Sequence, residues 1–363
     1  MEWISAFRNT QAALVLAKRL KSLDPPKMRL MEVCGTHTMS IAQNGIRQLM
    51  PPNITLTAGP GCPVCVTAVR DIDTFIAASR LDNTIIATFG DLIKVPGSSS
   101  SLAKEMGDKA VIKIVYSALD AVDLARQNPD KEIIFLGIGF ETTTPTIAAA
   151  ILQASSESLK NFSVISSHKL MPPALHALAS DPEVNIDGLL CPGHVTIMIG
   201  ASAYNPFAQQ YNIPCVIAGF EAADILHGIV MLVEQCMSGQ PAKVEISYQR
   251  AVYEQGNRKA MDIMYKVFKP GPAQWRGIGE IENSGLHLKN DYADFDAVRK
   301  FNLTVPPAAE TPGCQCGKLL KGLISPPDCK LFKKLCTPAH PVGPCMVSSE
   351  GACAAYERYV YIK

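Results

Sequence analysis

The sequence lacks a charge imbalance, a long uninterrupted apolar run and a secretory leader, and each absence excludes a class of function. Lys and Arg number 34 against 33 Asp and Glu, so the charge balance indicates neither a nucleic acid nor an anionic membrane as a partner. The longest apolar stretch, residues 215–233, contains Glu221, Asp224 and His227, which excludes a membrane-spanning helix. The first residues, Met1-Glu2-Trp3, include an acid and begin no apolar segment, so we expect no secretory signal and a cytoplasmic location.

Cysteine, in contrast, is abundant, with 12 in 363 residues. Structural disulfides are rare in the cytoplasm, so this number favours metal binding or redox chemistry. Thiolates are soft ligands that suit iron–sulfur clusters, zinc and low-spin iron. The cysteines of interest fall into a C-terminal group, Cys314, Cys316, Cys329, Cys336, Cys345 and Cys353, and a group near the front, Cys34, Cys62 and Cys65. Two separated groups suggest two sites of metal or redox chemistry.

Short apolar runs alternate with helical patterns between residues 28 and 238, which predicts an α/β fold. The predicted strands are 28–33, 54–58, 84–89, 109–115, 132–137, 162–166, 188–190 and 214–218, and the predicted helices include 4–22, 67–78, 118–127, 144–156, 173–179 and 222–235. Such alternation produces mainly parallel sheets that are covered on both faces. The two series of strands predict two α/β domains, at 28–125 and 126–238. Residues 305–345 are rich in Pro, Gly and Cys, so a metal is the expected source of order there.

The first candidate site is the segment Glu32-Val33-Cys34-Gly35-Thr36-His37-Thr38, which follows a predicted strand and precedes a helical pattern. Ligands of α/β sheets bind just beyond the carboxyl ends of the strands, and a thiol near a helix N-terminus has a lowered pKa. Cys34 is therefore a candidate site residue, and His37 could carry a proton or bind a ligand. The alternative is a buried cysteine beside a threonine that caps the helix.

Cys62 and Cys65 form a C-x-x-C pair directly after the next strand. Such a pair at a helix start is typical of dithiol redox motifs, in which the first thiol is exposed and acidified and the second resolves it. The alternative is half of a zinc site. The sequence offers no second closely spaced pair of Cys or His nearby to complete tetrahedral zinc, so redox chemistry is favoured.

Polar side chains also follow other predicted strands. Glu141 lies in the glycine-rich turn 137–145, a weak match to a phosphate-binding turn. It could carry a proton, or it could only favour the helix dipole. Asp91 and His194 follow two further strands, so these groups together predict a cleft between the two α/β domains. Three remaining cysteines are interpreted as core residues: Cys191, Cys215 and Cys236.

The spacing of the C-terminal cysteines is irregular: one residue separates Cys314 from Cys316, and twelve, six, eight and seven residues separate the following neighbours. This pattern differs from the paired C-x2-C spacing of zinc ribbons. Six thiols exceed the four that a single cluster needs, and four cluster ligands plus one redox-active pair would account for all of them. The alternative is structural zinc with two cysteines that take no part.

The chain resembles the HypD family of [NiFe]-hydrogenase maturation factors over essentially its full length. The resemblance rests on five motifs in order: Cys34-Gly35-Thr36-His37-Thr38, Gly59-Pro60-Gly61-Cys62-Pro63-Val64-Cys65, Gly139-Phe140-Glu141-Thr142-Thr143, Pro192-Gly193-His194-Val195 and Gly343-Pro344-Cys345-Met346-Val347-Ser348-Ser349-Glu350-Gly351-Ala352-Cys353. It implies a scaffold with redox capability, on which the Fe(CN)2CO unit of the hydrogenase active site is assembled. It also implies a stable partner, HypC, which shares the iron, and a transient partner, HypE, which delivers cyanide.

The resemblance assigns roles to particular residues. Cys34 would bind the iron of Fe(CN)2CO with His37 beside it, and Cys62 and Cys65 would be a redox pair at the same cleft. The family's cluster pattern, C-x14-C-x6-C-x16-C, would select as ligands of a [4Fe–4S] cluster Cys314, Cys329, Cys336 and Cys353. Cys316 and Cys345 would then form a second dithiol between cluster and cleft, although Cys316 could replace Cys314 as a ligand. The candidate catalytic set is completed by Asp91, Glu141, His194 and Glu350.

The resemblance also implies a third domain that carries the cluster. It would span residues 239–363 and pack against the N-terminal helix within residues 1–27.

Two other functions fit the cysteines. A thiol–disulfide reductase that uses cluster electrons would turn over a disulfide substrate and would not need Cys34. A zinc-stabilised interaction protein without redox chemistry would be colourless and contain stoichiometric zinc. The maturation scaffold is favoured, because cyanide and carbon monoxide prefer low-spin Fe(II) and a soft thiolate holds such iron well.

Overall fold

The computed structural model describes residues 9–108, 110–308 and 310–360, and the predicted α/β class is confirmed. The strands are β1 Met28–Glu32, β2 Ile54–Ala58, β3 Thr84–Thr88, β4 Val111–Ile114, β5 Glu132–Gly137, β6 Phe162–Ser166, β7 Gly188–Pro192, β8 Cys215–Ala218, β9 Val244–Ile246, β10 Phe268–Trp275 and β11 Gly279–Leu288. Every predicted strand is present, with small differences at the ends. Lys109, the first residue of one predicted strand, lies outside the described residues.

Helices occupy the connections between the strands. They are α1 Thr10–Ser22, α2 Gly35–Gln43, α3 Ile46–Leu49, α4 Pro63–Val66, α5 Val69–Ser79, α6 Leu102–Asp108, α7 Ala118–Gln127, α8 Thr144–Ser156, α9 Met171–Ala179, α10 Gly193–Ile199, α11 Asn205–Tyr211, α12 Ala222–Met237, α13 Arg258–Val267, α14 Ala297–Lys300, α15 Cys316–Leu320, α16 Pro344–Val347 and α17 Ala352–Ala355. Short 3₁₀ turns occur at Gly90–Leu92, Ala201–Tyr204, Asn290–Phe295 and Pro326–Asp328, and Tyr356–Val360 forms a π-helix. The helices predicted from residue 67 onward are all confirmed.

The first sheet contains five parallel strands in the order β2-β1-β7-β8-β9. The last residue of β1, Glu32, lies beside Ala58 of β2 and Leu190 of β7. The strand order reverses between β1 and β7, because β2 lies on one side of β1 and all later strands lie on the other. In open α/β sheets, such a switch point opens the crevice in which ligands bind.

The second sheet contains four parallel strands in the order β4-β3-β5-β6. It is built from the chain between β2 and β7, so it is inserted into the first sheet and repeats the same order around its own switch point, between β3 and β5. The predicted boundary at residue 125 therefore does not separate the two sheets. The strands β1 and β2 belong with β7 and β8, and β3 and β4 belong with β5 and β6.

The central strands are buried on both faces, which explains why their sequences are continuous apolar runs rather than alternating ones. All residues of β3, β7 and β8 are buried. The second sheet packs on α7 and α8 through Phe135, Val122 and Ile151, and the first sheet packs on α12 through Leu190 and Ile229. These two cores fix the two switch points in space.

The N-terminal helix α1 begins at Thr10, and Asn9 caps it by accepting a hydrogen bond from the N–H of Ala12 at 3.0 Å. Its buried face, which includes Ala13 and Leu20, belongs to the core of the first sheet. Arg19 forms an ion pair of 2.9 Å with Glu234 of α12. The structure thus places this helix on the first sheet rather than on the C-terminal segment. The start of the predicted helix, residues 4–8, lies outside the described residues.

The segment after residue 238 contains more regular structure than its sequence predicted. The strands β10 and β11 form an antiparallel hairpin with an irregularity between Gly271 and Ala273. Near its base, Gly285 bridges to Lys169 beyond β6, and near its tip, Trp275 bridges to Thr67 beyond α4. The hairpin therefore connects the end of the second sheet with the C-x-x-C segment.

The C-terminal part of the chain consists mainly of loops. Its helices α15 to α17 have five residues or fewer.

Within the described ranges, we find no helix whose length and apolar character would allow it to span a membrane.

Candidate metal and redox site

Cys34 lies at the switch point of the first sheet, directly after β1 and at the N-cap of α2. It is nearly buried, with 7% of its surface exposed. The backbone N–H groups of His37 and Thr36 donate to its thiol and favour the thiolate, as predicted for a helix N-terminus. Burial outweighs this effect, with smaller contributions from Glu350 and Glu32, and raises the pKa of Cys34 to about 12. The expected low pKa is therefore wrong for the metal-free protein, in which this thiol keeps its proton.

Glu32 is a fully buried carboxyl group beneath Cys34 that the sequence did not identify as a site residue. Its two oxygens accept hydrogen bonds from the N–H of Cys34 at 3.1 Å and from the hydroxyl of Thr38 at 2.5 Å. Burial raises its pKa to about 8, although both hydrogen bonds act in the other direction. An acidic residue at the carboxyl end of β1, two positions before Cys34, was the signal that could have revealed it.

Glu350 lies near Cys34, and the charge of Asp91 acts on Glu350. The hydroxyl of Thr36 donates to Glu350 Oε1 at 2.7 Å. Gly35 leaves room for this side chain, since a Cβ there would be 2.5 Å from the Cβ of Glu350. Burial raises the pKa of Glu350, the hydrogen bond from Thr36 lowers it, and the charge of Asp91 raises it. The structure thus places Glu350 near the predicted thiol, within range of the charge of Asp91.

His37 and His194 both contact Phe220, which follows β8. The ring of His194 stacks on Phe220 with centroids 3.8 Å apart, and the ring of His37 lies 5.0 Å from it. His37 Nε2 donates to the carbonyl of Gly219 at 2.8 Å, so Nδ1 is the unprotonated nitrogen, and this atom has no hydrogen-bond partner in the described part of the chain. Burial lowers the pKa of His37 to about 4. The imidazole is therefore neutral and carries a free lone pair.

The C-x-x-C segment packs directly on the backbone of the Cys34 segment. Gly35 donates its N–H to the carbonyl of Gly61 at 3.0 Å, and a Cβ on Gly61 would be 2.2 Å from the nitrogen of Cys34. Cys62 caps α4, and its sulfur accepts the N–H of Cys65 at 3.2 Å. Both thiols are buried, so the expectation that the first is exposed is wrong for this conformation.

Four thiols form a continuous series from the cleft toward the C-terminal cysteines. The thiol of Cys65 lies within hydrogen-bonding reach of Cys345, and Cys345 lies within the same reach of Cys316. The sulfur of Cys316 is 3.3 Å from that of Cys314. Hydrogen bonds from Cys316 and Cys65 lower the pKa of Cys345, whereas burial raises the pKa of Cys65. These hydrogen bonds therefore favour the thiolate form of Cys345.

The series ends at a small cavity of about 10 Å³ that five cysteines line. They are Cys314, Cys316, Cys329, Cys336 and Cys353, and the rest of the wall includes Leu319, Leu331, Phe332 and Met346. The sulfur of Cys336 accepts the N–H of Val342 at 3.3 Å. Burial and the other four cavity cysteines raise the pKa of Cys353. In the described segments, no three His, Cys, Asp or Glu side chains are placed to hold a single metal ion.

The remaining predicted residues have other surroundings. Glu141 is buried beyond β5, accepts the N–H of Met171 at 2.9 Å and has one oxygen without a partner among the described residues. Burial raises its pKa to about 7. Cys191 and Cys215 are buried in the first sheet, as predicted for core residues, and Cys236 is half-buried.

Comparison with known proteins relates this geometry to one family. The HypD family model, described as "Hydrogenase formation hypA family", matches residues 11–360. The hydrogenase maturation factor HypD of Azotobacter vinelandii is 44% identical over 368 residues, which cover 99% of this chain and 97% of that protein. The HypD proteins of Cupriavidus necator and Escherichia coli are 42% and 43% identical over 99% and 92% of this chain, and the alignments cover 97% and 89% of those proteins.

Proposed function

The chain belongs to the HypD family, and from this premise we propose that it is a cytoplasmic scaffold that holds iron while the Fe(CN)2CO unit of a [NiFe]-hydrogenase is assembled. The observation that carries the proposal is the continuous path of thiols from Cys65 beside the Cys34 segment to the cavity lined by five cysteines. We propose that HypC shares the iron in a stable complex and that HypE binds transiently to deliver cyanide.

Cys34 is the proposed thiolate ligand of the iron, which is cargo rather than a resident cofactor. Its thiol is protonated in the metal-free protein, so iron must displace this proton. Glu350 and Glu32 are the carboxyl groups whose charges act on Cys34, and Glu350 is partly open to solvent. Glu350 is therefore the better acceptor for the displaced proton. The free Nδ1 of His37 adds a hydrogen-bond acceptor to the site.

The donor set around the cavity, five cysteines, fits a [4Fe–4S] cluster as the resident cofactor. Such a cluster takes four thiolate ligands, and the cavity offers five buried or half-buried thiols within an apolar wall. The proposed ligands are Cys329, Cys336, Cys353 and one of the pair Cys314 and Cys316. When bound, the cluster supplies electrons one at a time. The pronounced rise in the pKa of Cys353 by burial and its neighbouring cysteines means that a cation is needed to stabilise these thiolates together.

The thiols between cavity and cleft can exchange a disulfide. If Cys62 and Cys65 are joined, the thiolate of Cys345 attacks the sulfur of Cys65, and the thiolate of Cys62 leaves. The thiolate of Cys316 then attacks Cys345, and Cys65 leaves. The C-x-x-C pair ends as two thiols and Cys316 and Cys345 end as a disulfide, so two electrons have moved toward Cys34.

A second candidate function is that of an iron–sulfur-dependent thiol–disulfide reductase. The buried contact between Cys65 and Cys345 favours it, because this contact would serve a protein disulfide substrate equally well. The two functions differ in Cys34, which only the scaffold requires.

Infrared spectroscopy of the protein purified without oxygen together with HypC tests the proposal. We expect bands of metal-bound cyanide and carbon monoxide in the parent protein and in Cys236→Ala, a matched control because Cys236 is a half-buried cysteine outside the thiol series. We expect Cys34→Ala to keep the brown colour of the cluster, lose the bands and abolish hydrogenase maturation.

Retained bands and maturation in Cys34→Ala would contradict the scaffold. A brown parent protein without bands, after iron was supplied during expression, would favour the reductase.

A further inference from the structure

Arg276 carries a buried positive charge at the tip of the β10–β11 hairpin. Only 2% of its side chain is exposed. Its Nε donates to the carbonyl of Thr67 at 3.0 Å, and its Nη1 donates to Glu310 Oε2 at 2.7 Å. The backbone N–H of Arg276 donates to the carbonyl of Val66 at 2.9 Å. Nη2 is buried and has no hydrogen-bond partner among the described residues.

These contacts join both ends of the thiol series. Val66 and Thr67 directly follow Cys65, so Arg276 fixes the end of the C-x-x-C turn. The adjacent Gly277 contacts the cavity segment: a Cβ on Gly277 would be 2.1 Å from the Cα of Gly317, the residue after Cys316.

The charge of Arg276 is only partly compensated. A buried guanidinium destabilises a fold unless it is well paired, and Arg does not lose its proton in proteins. Its partner Glu310 has 48% of its side chain exposed, so solvent screens the carboxylate far more than the guanidinium. One guanidinium nitrogen, Nη2, is left without an acceptor among the described residues. This excess positive charge would stabilise thiolates of the neighbouring cavity cysteines once those cysteines lose their protons.

We propose that Arg276 is a positioning residue of the thiol series, which fixes the distance between Cys65 and the cavity cysteines and stabilises negative charge on the cavity thiolates. This inference rests on the proposed function, because it assigns Arg276 to the disulfide exchange and to the cluster-binding cavity. The planar guanidinium group of Arg276 fixes the position of the C-x-x-C turn relative to the cavity. Its permanent positive charge makes a cluster bound in the cavity a better electron acceptor. The two contributions can be separated by substitution.

The first experiment measures geometry in the metal-free, reduced protein. Diamide treatment followed by peptide mass spectrometry gives the yield of the Cys65–Cys345 disulfide. We expect Arg276→Gln and Arg276→Lys to lower this yield several-fold, because neither side chain reproduces the fork between Thr67 and Glu310. The control is Arg126→Gln, which removes an arginine from a surface ion pair with Glu157, and its yield should equal that of the parent.

The second experiment tests the electrostatic role. It measures the reduction potential of the cluster in an anaerobic titration that electron paramagnetic resonance monitors. We expect Arg276→Gln to shift the potential to more negative values and Glu310→Gln to shift it to more positive values, since the first removes positive charge and the second removes negative charge. Arg276→Lys should stay near the parent potential. Iron content and thermal melting confirm that each variant is folded and loaded.

Parental disulfide yield and parental potential in Arg276→Gln would overturn the inference, as would shifts of the same sign in Arg276→Gln and Glu310→Gln. If Arg276→Gln does not fold, the disulfide yield of Arg276→Lys tests the geometric role, and the reduction potential of Glu310→Gln tests the electrostatic role. A parent protein that contains no iron and sulfide would count against the proposed cofactor. The disulfide yield of the metal-free protein would still decide the role of Arg276.

Discussion

At the scale of single residues, burial determines the charge of the groups around the switch points. Glu32 and Glu141 have raised pKa values of about 8 and about 7, and His37 has a lowered pKa of about 4. In each case loss of solvent is the largest cause, and it favours the neutral form. These groups are therefore less charged than the sequence suggests, which would suit the proposed assembly of neutral and anionic diatomic ligands on iron.

Glu141 permits a direct test of this effect, because it is not near a proposed metal ligand in sequence. Its folded pKa of about 7 lies above its ordinary value of 4.5. Between these pH values the folded protein keeps a proton on Glu141 that the unfolded chain releases. The stabilisation provided by the protonated carboxyl group is therefore full below pH 4.5 and is lost as the pH rises to about 7. The free energy of unfolding should fall by up to about 1.4 kcal/mol per pH unit in this window.

Urea unfolding of the parent and of Glu141→Gln at pH 5 and pH 7 measures this loss. Gln does not titrate and can still accept the N–H of Met171. The free energy of unfolding of Glu141→Gln should therefore fall less than that of the parent between pH 5 and pH 7, and the difference should be up to about 2–3 kcal/mol. The exposed Glu282→Gln should follow the parent. Equal pH dependence in the parent and in Glu141→Gln would contradict a raised pKa.

At the scale of elements, Gly61 controls the packing of the C-x-x-C turn on the Cys34 segment. A Cβ at this position would be 2.2 Å from the nitrogen and 2.4 Å from the Cα of Cys34, and neither backbone atom can rotate away. We expect Gly61→Ala to destabilise the protein by about 1–3 kcal/mol. We also expect it to displace the turn, so that Cys34 reacts faster with iodoacetamide under native conditions.

Gly107→Ala is the matched control for this substitution. Gly107 lies in α6, and a Cβ there would have no atom within 4 Å. It should leave Cys34 alkylation unchanged and stabilise the helix by roughly 0.5–1 kcal/mol. Parental stability and parental alkylation in Gly61→Ala would refute the role of this close contact.

The elements that the sequence predicted are those with strong local patterns. The strands β3, β5 and β8 are continuous apolar runs, and α7 begins with a capping box of Ser117 and Asp120. The hairpin was missed because β10 contains Pro270, Gly271 and Pro272 and alternates irregularly between buried and exposed residues. Its strand conformation depends on pairing with β11 and on contacts at both ends, and a local pattern does not record such contacts.

The site could be predicted only in part for a similar reason. Cys34, His37 and Glu350 were found because strand ends and family motifs mark them, and the structure places them together. Glu32 and Arg276 were missed because a charged residue in a sequence is ordinarily expected to face solvent. Their burial follows from tertiary packing that closes over β1 and over the hairpin tip.

At the scale of the whole molecule, the pairing of strands was the feature least accessible to sequence. Alternating strands and helices predict parallel sheets, but the pattern is the same whether β2 is followed in space by β3 or the chain starts a new sheet. The structure uses the second solution and inserts one sheet into the other. As a result, the charge of Asp91, which follows β3 of the inserted sheet, acts on Glu350 near Cys34 of the first sheet, so both sheets influence the candidate site.

The C-terminal segment should depend on the proposed cluster more than the sheets do. Its core consists largely of cysteines with Leu319, Phe332 and Met346, and its helices are too short to persist alone. Removing the cluster with a chelator under reducing conditions leaves buried thiols without a cation. We therefore expect trypsin to cleave at Lys330, Lys333 or Lys334 at least tenfold faster after chelation, while circular dichroism of the sheets is retained.

Peptide mass spectrometry over a time course identifies the cleavage sites in this test. Cys34→Ala is the control, because it removes the proposed iron ligand in the cleft and leaves the cavity cysteines intact. It should be cleaved at the parental rate before chelation and at the same increased rate afterwards. Equal cleavage of the parent with and without its metal would mean that packing of the loops against the hairpin, through Gly277 and Gly317, is sufficient to order this segment.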